Sequence, residues 1–399
     1  MIGKDLAQEL IYYLALLLAF SLPISRAGIN IFSFAILLVW ILEGDFKRKF
    51  SSIKKEPFFA LILLFLIYQV IILIWVEPSN ITQAIDYSFK YIYFLVPFLL
   101  WTSFPIDKIY HLIYSFLLAM AVASFQSLLL YFHIYDAKTK IANSLSLHMW
   151  HTYYSIFLAF SSLVIFAHIK YKKSYKYHLY ILSLMIVSVL FLGVARTGQV
   201  LFLVGLAYTL IYRFKLKIKN IVAIFTLISI LLYGLYKIDP IFKNRVNLAK
   251  SDIVSIYKGD YCSSLGMRLF TWKIAGEVLR SDPLLGLGSI DHLDYLNKRL
   301  DNNPQTSNCA IRSQISNFHS QYIETFAQSG IIGLLLLLSL FIRLSKIVIK
   351  DSFISYIRTL FIVTFLYDFL LEYPFRVSSM LGLFVIFSSI ILLESKKEQ

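Results

Sequence analysis

Charge is scarce in this chain. Asp, Glu, Lys and Arg make up 15% of its 399 residues, against 58% hydrophobic. With a mean hydropathy of +0.71, so apolar a composition excludes a soluble domain of this size, because too little surface would be left for water. Acid is the scarcer sign: 23 Asp and Glu stand against 38 Lys and Arg, a formal net charge of +15. Alongside so much apolar sequence, these cations read as helix-orienting and lipid-touching residues, not as a nucleic-acid surface. Cysteine is nearly absent, with two residues, which excludes a disulfide-dense scaffold. No low-complexity tract, soluble linker or internal repeat is visible.

What the chain does have is apolar runs, many near the ~20 residues needed to cross ~30 Å of hydrocarbon. Twelve spans are predicted, at 9–24, 27–43, 58–76, 83–101, 110–133, 148–169, 179–195, 197–213, 220–237, 320–343, 353–370 and 376–393. Charged residues collect between them, as spanning by helices demands. The polar start, MIGKDLAQEL, has one lysine and no small-residue cleavage site after the first run, so that run reads as a retained span. The expected fold is all-α: a polytopic integral membrane protein, one membrane domain over 1–399 with a single large loop at about 238–319.

Sidedness follows from Lys and Arg. The loops DFKRKFSSIKKEP (45–57), KYKKSYKYH (170–178), RFKLKIKN (213–220) and RLSKIVIKDS (343–352) carry five, four, four and three basic residues. The alternate short loops carry only Arg26, Lys138 and Lys140, Arg196, and Arg376. The first set is therefore predicted to be cytoplasmic, with both termini. The long loop then lies outside; its ten basic residues, Arg312 among them, do not contradict this, because long loops escape the charge rule. Within it MRLFTWKIAGEVLR (267–280) has helical periodicity in Leu269, Trp272, Gly276 and Leu279, and SDP stops it. Cys262 and Cys309 both fall in this loop. An oxidising compartment permits a disulfide between them, and two unrelated thiols are the alternative.

Polar residues that interrupt apolar runs gather on the predicted outer side. They are Arg196, Arg268, His319, His148 and His151, and the Asp368, Glu372 and Arg376 group. Charge near a membrane core is costly, which makes each a functional candidate. Arg196 has no carboxylate within ten residues. For Arg376, pairing with Glu372 or Asp368 is the plainer expectation. Lys90, in mid-run, either faces a cavity or pairs with Asp86 one turn earlier. His148 and His151 are an i, i+3 half-site for zinc without a third ligand, so interfacial histidines are expected and no metal is. His292 reads as a solvated loop residue. Two arginines and a histidine on one face suit attack by an alcohol with a lipid diphosphate leaving: arginine grips phosphate bidentately and histidine takes the hydroxyl proton.

Three segments carry a resemblance: ARTGQVLFL, GMRLFTWKIAGEVLRSDPLLGLG and HSQYIETFAQSGIIG. In motif order, length and outer loop the chain resembles the O-antigen ligase and O-antigen polymerase superfamily of bacterial envelope glycosyltransferases, over roughly residues 190–340. The resemblance implies a fold like the membrane-embedded type C glycosyltransferases and a metal-independent transfer needing no cofactor. In the ligase branch a glycan chain passes from undecaprenyl diphosphate to the lipid A–core oligosaccharide, at the periplasmic face of the inner membrane, in lipopolysaccharide biosynthesis. Carried onto this sequence, Arg196 and Arg268 hold the diphosphate and His319 activates the acceptor hydroxyl. Tyr322, Arg376 and Arg312 are candidate substrate contacts. An O-antigen polymerase or a protein O-oligosaccharyltransferase would use the same donor. A lipid-linked sugar flippase is the reading from another class, disfavoured by the missing repeat.

Overall fold

The computed structural model describes residues 2–134, 145–172, 175–213, 217–238 and 240–397, and among them no strand occurs. Lys138, Lys140, Lys173 and Lys215, counted above among the loop charges, lie outside the described residues. The helices are α1 (Lys4–Ser21), α2 (Arg26–Glu43), α3 (Phe46–Ile53), α4 (Pro57–Ile71), α5 (Ile81–Phe89), α6 (Val96–Ser103), α7 (Ile109–Tyr131), α8 (His151–Tyr171) and α9 (Lys176–Leu192). They continue with α10 (Arg196–Tyr208), α11 (Ile218–Ile238), α12 (Pro240–Tyr257), α13 (Ser264–Ser281), α14 (Asp291–Asp301), α15 (Gln321–Lys346), α16 (Ser352–Leu371) and α17 (Ser378–Lys396).

Among the described residues, seven helices are long and apolar enough to cross a membrane: Arg26–Glu43, Pro57–Trp75, Ile106–Tyr131, His151–Tyr171, Gln321–Lys346, Ser352–Leu371 and Ser378–Lys396. The chain is a polytopic, all-helical membrane protein. Shorter apolar helices, Lys176–Leu192 and Arg196–Ile211, occupy two more of the predicted spans. The fourth predicted span is not one helix. It is α5, a 3-10 stretch over Lys90–Leu95, and then α6. Pro97 stands at the start of α6. Lacking an N–H, it cannot close a helical bond to Tyr93, so an unbroken helix through this point loses a rung.

The chain divides into two compact units. The first comprises residues 1–71, 85–203 and 335–399, and the second 72–84 and 204–334. In the first, α17 is enclosed by its neighbours, with 94% of its apolar window buried. Aromatic rings fill the space around it: Phe384 packs on Phe94 at 5.0 Å and on Phe375 at 5.2 Å, and Phe387 on Phe160 at 4.8 Å. At one end of this unit the basic loops meet their acids. Arg343 grips Glu56 through two nitrogens at 2.9 Å, and Lys172 reaches Asp351 at 2.9 Å. Lys49, fully buried, pairs with Glu43 at 2.8 Å and donates to the Trp40 carbonyl. These contacts bring loops 45–57, 170–178 and 343–352 to a common end.

In the second unit, the segment expected to carry one helix holds three, α12, α13 and α14, plus a 3-10 turn over Arg312–Gln314. Acids in its first turn and Lys298 and Arg299 in its last favour α14 through the helix dipole. A small core of Met267, Phe270, Ile274, Leu296, Leu300 and Phe318 joins α13 to α14. The sulfurs of Cys262 and Cys309 are bonded, with Cα atoms 5.0 Å apart. Asn80 donates to Asp291 and Asp294, both at 2.7 Å, and the Glu77 amide donates to Asp291. The segment after α4 is thereby stitched to the start of α14.

Candidate active site

The candidate residues fall in both units. Arg196 and Arg376 belong to the first; Arg268, Arg312, His319 and Tyr322 belong to the second.

Arg196 is the first residue of α10 and is exposed. Its neighbours explain the ARTGQ sequence. The Gly198 amide donates to Ser155 Oγ on α8 at 3.0 Å, and a Cβ on Gly198 would lie 2.2 Å from the Ser155 carbonyl oxygen. Only glycine permits that approach. Gln199 donates to the carbonyls of Leu190 and Gly193, closing the joint behind it. Tyr367 donates to the Thr197 carbonyl. The joint is rigid, and the arginine projects from it.

His319 stands two residues before α15, with φ of +50°, a left-handed conformation rare outside glycine. Asn317 Oδ1 accepts its amide at 2.8 Å. The Phe318 amide donates to Glu324 Oε2 at 2.8 Å, and Trp272 Nε1 donates to the Phe318 carbonyl at 3.0 Å. The peptide groups leading into His319 are thus fixed from both sides. Trp272 lies one turn beyond Arg268 on α13, so the two share a helix face. That face is the one tied to the His319 turn.

Behind Glu324 sits a residue misread from sequence. His292 is not solvated: it is fully buried, as is Glu324. Its Nδ1 lies 2.9 Å from the Gly288 carbonyl, so that nitrogen donates, and its Nε2 lies 3.1 Å from Glu324 Oε1. These contacts, with the Phe318 amide, form one continuous chain Gly288–His292–Glu324–Phe318. Ile290, with φ of +70°, and His319 flank it. Two non-glycine residues in this strained region, one of them β-branched, mark a segment held by its surroundings. The sequence did contain a signal: His292, Leu296 and Leu300 recur at i, i+4 and i+8, a buried helix face.

The glycines of the matched motifs have a geometric cause. α15 is kinked at Gly330, where φ is +63° and ψ −167°. The turn 283–288 lies against that kink. Leu287 and Gly288 amides donate to the Ala327 and Gln328 carbonyls, both at 2.9 Å, and the Ile331 amide to the Pro283 carbonyl. A Cβ on Gly330 would lie 2.1 Å from the Leu284 oxygen, and one on Gly286 2.6 Å from the Gly330 nitrogen. Main chain packs on main chain here, without room for side chains.

The remaining candidates separate. Arg312 is tied down: it donates to Asp301 at 2.8 Å, to the Ile315 carbonyl and to Asn297. Tyr322 is half-buried in the first turn of α15. Arg376 forms no ion pair with Glu372 or Asp368 among the described residues. Its guanidinium stacks over Tyr87 at 4.0 Å instead. Asp368 is fully buried and its carboxylate has no hydrogen-bond partner among the described residues. Burial holds the His148 imidazole below its ordinary value. No group of three metal-ligating side chains occurs among the described residues.

Residues 179–338, from α9 through the first part of α15, match the family model of the O-antigen ligases. Over that stretch, less than half of its length, the chain is similar to the O-antigen ligases. The matched stretch contains Arg196, Arg268 and His319, together with the His292–Glu324 pair and the Gly330 kink. A Haemophilus influenzae protein, itself uncharacterized, is 28% identical over 317 residues, covering 76% of this chain and 75% of its own.

Proposed function

We propose that the chain is an O-antigen ligase. It transfers a glycan from undecaprenyl diphosphate to the lipid A–core oligosaccharide at the periplasmic face of the inner membrane. The acceptor hydroxyl attacks the anomeric carbon of the donor sugar. The sugar–oxygen bond to the diphosphate breaks, His319 takes the hydroxyl proton, and undecaprenyl diphosphate leaves. Arg196 and Arg268 hold the diphosphate and carry its growing charge without metal. Both termini are cytoplasmic in this reading, with the basic loops of the first unit on the inner side. The observation that carries it is the bracing of the His319 turn by Glu324, Trp272 and the buried His292: three side chains fix one backbone segment whose ring is the only base among the transferred roles.

The test is transfer by the purified chain, with lipid-linked glycan and lipid A–core, in the presence of a chelator. His319→Ala should lower the rate by about 10²–10⁴-fold, the usual contribution of a general base, with unchanged membrane insertion. Full activity in that variant ends the base assignment. Lengthening of the glycan on its own donor lipid would make the protein a polymerase. Movement of labelled donor across vesicles with its diphosphate linkage intact would make it a flippase.

A further inference from the structure

A second cationic site lies in the first unit, on elements that carry neither Arg196 nor Arg268. A cavity of about 530 Å³ opens between α2, the broken α5–α6 segment and the start of α17. Its walls are apolar, from Phe34, Leu37, Phe89, Val96 and Leu99, with Lys90 and Asp86 set among them. Of the two expectations for Lys90, the cavity is the one realised: no Lys90–Asp86 ion pair forms among the described residues. Lys90 Nζ instead points to the Arg376 carbonyl, at 3.4 Å. Arg376 and Arg26 both lie within electrostatic range of the ammonium. None of the three cations has a carboxylate partner among the described residues. With Asp86 included, the cavity's surroundings hold a net charge of +2.

Unneutralised cations crowd together only at a cost, which an anion removes. The apolar walls ask for a chain as well as a charge. Phe34 and Phe89, 61% and 64% exposed, carry the cavity out to the apolar surface that a membrane protein turns to its lipid. The volume lies within the ~300–1,000 Å³ of ordinary ligand pockets, room for one chain of a lipid and not a whole one.

We propose that this cavity binds an acyl lipid with a phosphomonoester head, the phosphate held by Arg26, Lys90 and Arg376 and one acyl chain lying along Phe34, Leu37 and Leu99. Two negative charges on the head match the net charge of the site, which a zwitterionic lipid does not. The choice of an acyl over a prenyl lipid rests on the proposed transfer reaction. Two lipid-borne partners need two head sites, and the donor's diphosphate is assigned to Arg196 and Arg268. The cavity then serves the phosphorylated acceptor side.

The experiment reads lipid retention without donor, so it is independent of whether transfer occurs. The full chain is placed in phosphatidylcholine nanodiscs containing a minor fraction of phosphatidic acid, released, and weighed with its bound lipids by native mass spectrometry. One phosphatidic acid per chain should be retained. Lys90→Ala with Arg376→Ala should reduce that retention at least tenfold, and Lys90→Arg should preserve it. Lys346→Ala, at the other end of the unit, should change nothing. Retention of phosphatidylcholine equal to that of phosphatidic acid overturns the phosphate assignment. So does unchanged retention in the double variant. Farnesyl diphosphate displacing the lipid at lower concentration than phosphatidic acid itself overturns the acyl assignment.

Discussion

In the first unit, ring packs on ring. Phe341, Phe361, Phe365, Phe369, Phe375 and Phe384 form a continuous cluster with centroids about 5–6 Å apart. In the second unit the decisive contacts are directional: a disulfide, a glycine-on-glycine backbone approach, and a buried His–Glu pair that receives a peptide N–H. The difference is the one the proposed topology calls for. In lipid, apolar surface gains little by leaving one apolar medium for another, so helices associate by close packing. A segment proposed to lie outside the hydrocarbon, without a large core, needs fixed geometry from bonds with direction. Catalysis asks for that geometry too, since a group must be held within a fraction of an ångström of its target. The base is therefore expected in the unit built from directional contacts, and an arginine that needs only to reach a diphosphate can stand on the packed one.

The most damaging test of this contrast is Gly330→Val. The new residue would occupy a left-handed conformation costing roughly 1–3 kcal/mol, and its Cβ would also overlap the Leu284 carbonyl at 2.1 Å. Transfer should be lost, and hydrogen exchange should accelerate over 264–330 while α7, α8 and α17 stay protected. Loss of protection in α17 as well would mean the units do not respond separately. Phe384→Ala is the converse. The cavity left among its neighbours should cost about 3–5 kcal/mol in thermal or denaturant stability, with turnover per folded molecule little changed. A fall in turnover without a fall in stability would tie the aromatic cluster to the chemistry.

Reduction of Cys262–Cys309 comes next. Opening a loop whose ends are 47 residues apart should cost the second unit about 2–4 kcal/mol, seen as lower protection of α13 and α14 in dithiothreitol. Protection unchanged on reduction would assign the stability of that region to its core alone.

Many of the spans were legible because a run of apolar residues near membrane thickness has few other uses: seven of the twelve expected runs coincide with helices long and apolar enough to cross a membrane, and two with shorter apolar helices. The break at Lys90–Leu95 was not legible: hydropathy averages over Pro97, whereas the backbone cannot. Arg196 and His319 could be singled out because each interrupts an apolar run. The environment of His319 could not, because Glu324 and His292 are 32 residues apart and local sequence shows neither the carboxylate beside the imidazole nor the Phe318 N–H that the same carboxylate accepts. α12 and α14 were missed for a related reason. α12, of 18 residues, and α14, of 11, are rich in polar and charged side chains, so neither shows the apolar run that marks a span. Sequence spacing favours pairing Arg376 with the carboxylates four and eight residues before it, but the turn at Pro374–Arg376 sends its guanidinium to Tyr87 instead.

Glu324→Gln sharpens the contrast at smaller scale. The amide oxygen can still accept the Phe318 N–H, but the charge facing His292 is gone. A charge-assisted hydrogen bond is worth about 1.5–3 kcal/mol, so kcat should fall roughly 10–100-fold. KM for the lipid-linked donor should hold, because neither arginine is touched. A rise in KM with kcat intact would place Glu324 in substrate binding and not in positioning His319.

The smallest effect belongs to Glu277, and its sign can be worked out. Its hydrogen bond with Arg299, a contact of 2.5 Å, holds the carboxyl below its ordinary value, helped by Tyr295. A depressed carboxylate contributes stability that is present above the unfolded value near 4.5 and is lost as pH falls through the lower folded one. Arg299 is half exposed and Glu277 one-third exposed, so solvent screening keeps the pair's contribution small. Glu277→Gln should therefore shift the acid limb of second-unit unfolding only slightly and leave transfer at neutral pH unchanged. A large loss at neutral pH would show that this surface pair belongs with the directional contacts that set the active turn, and the division between buried and exposed polar contacts in the second unit would have to be redrawn.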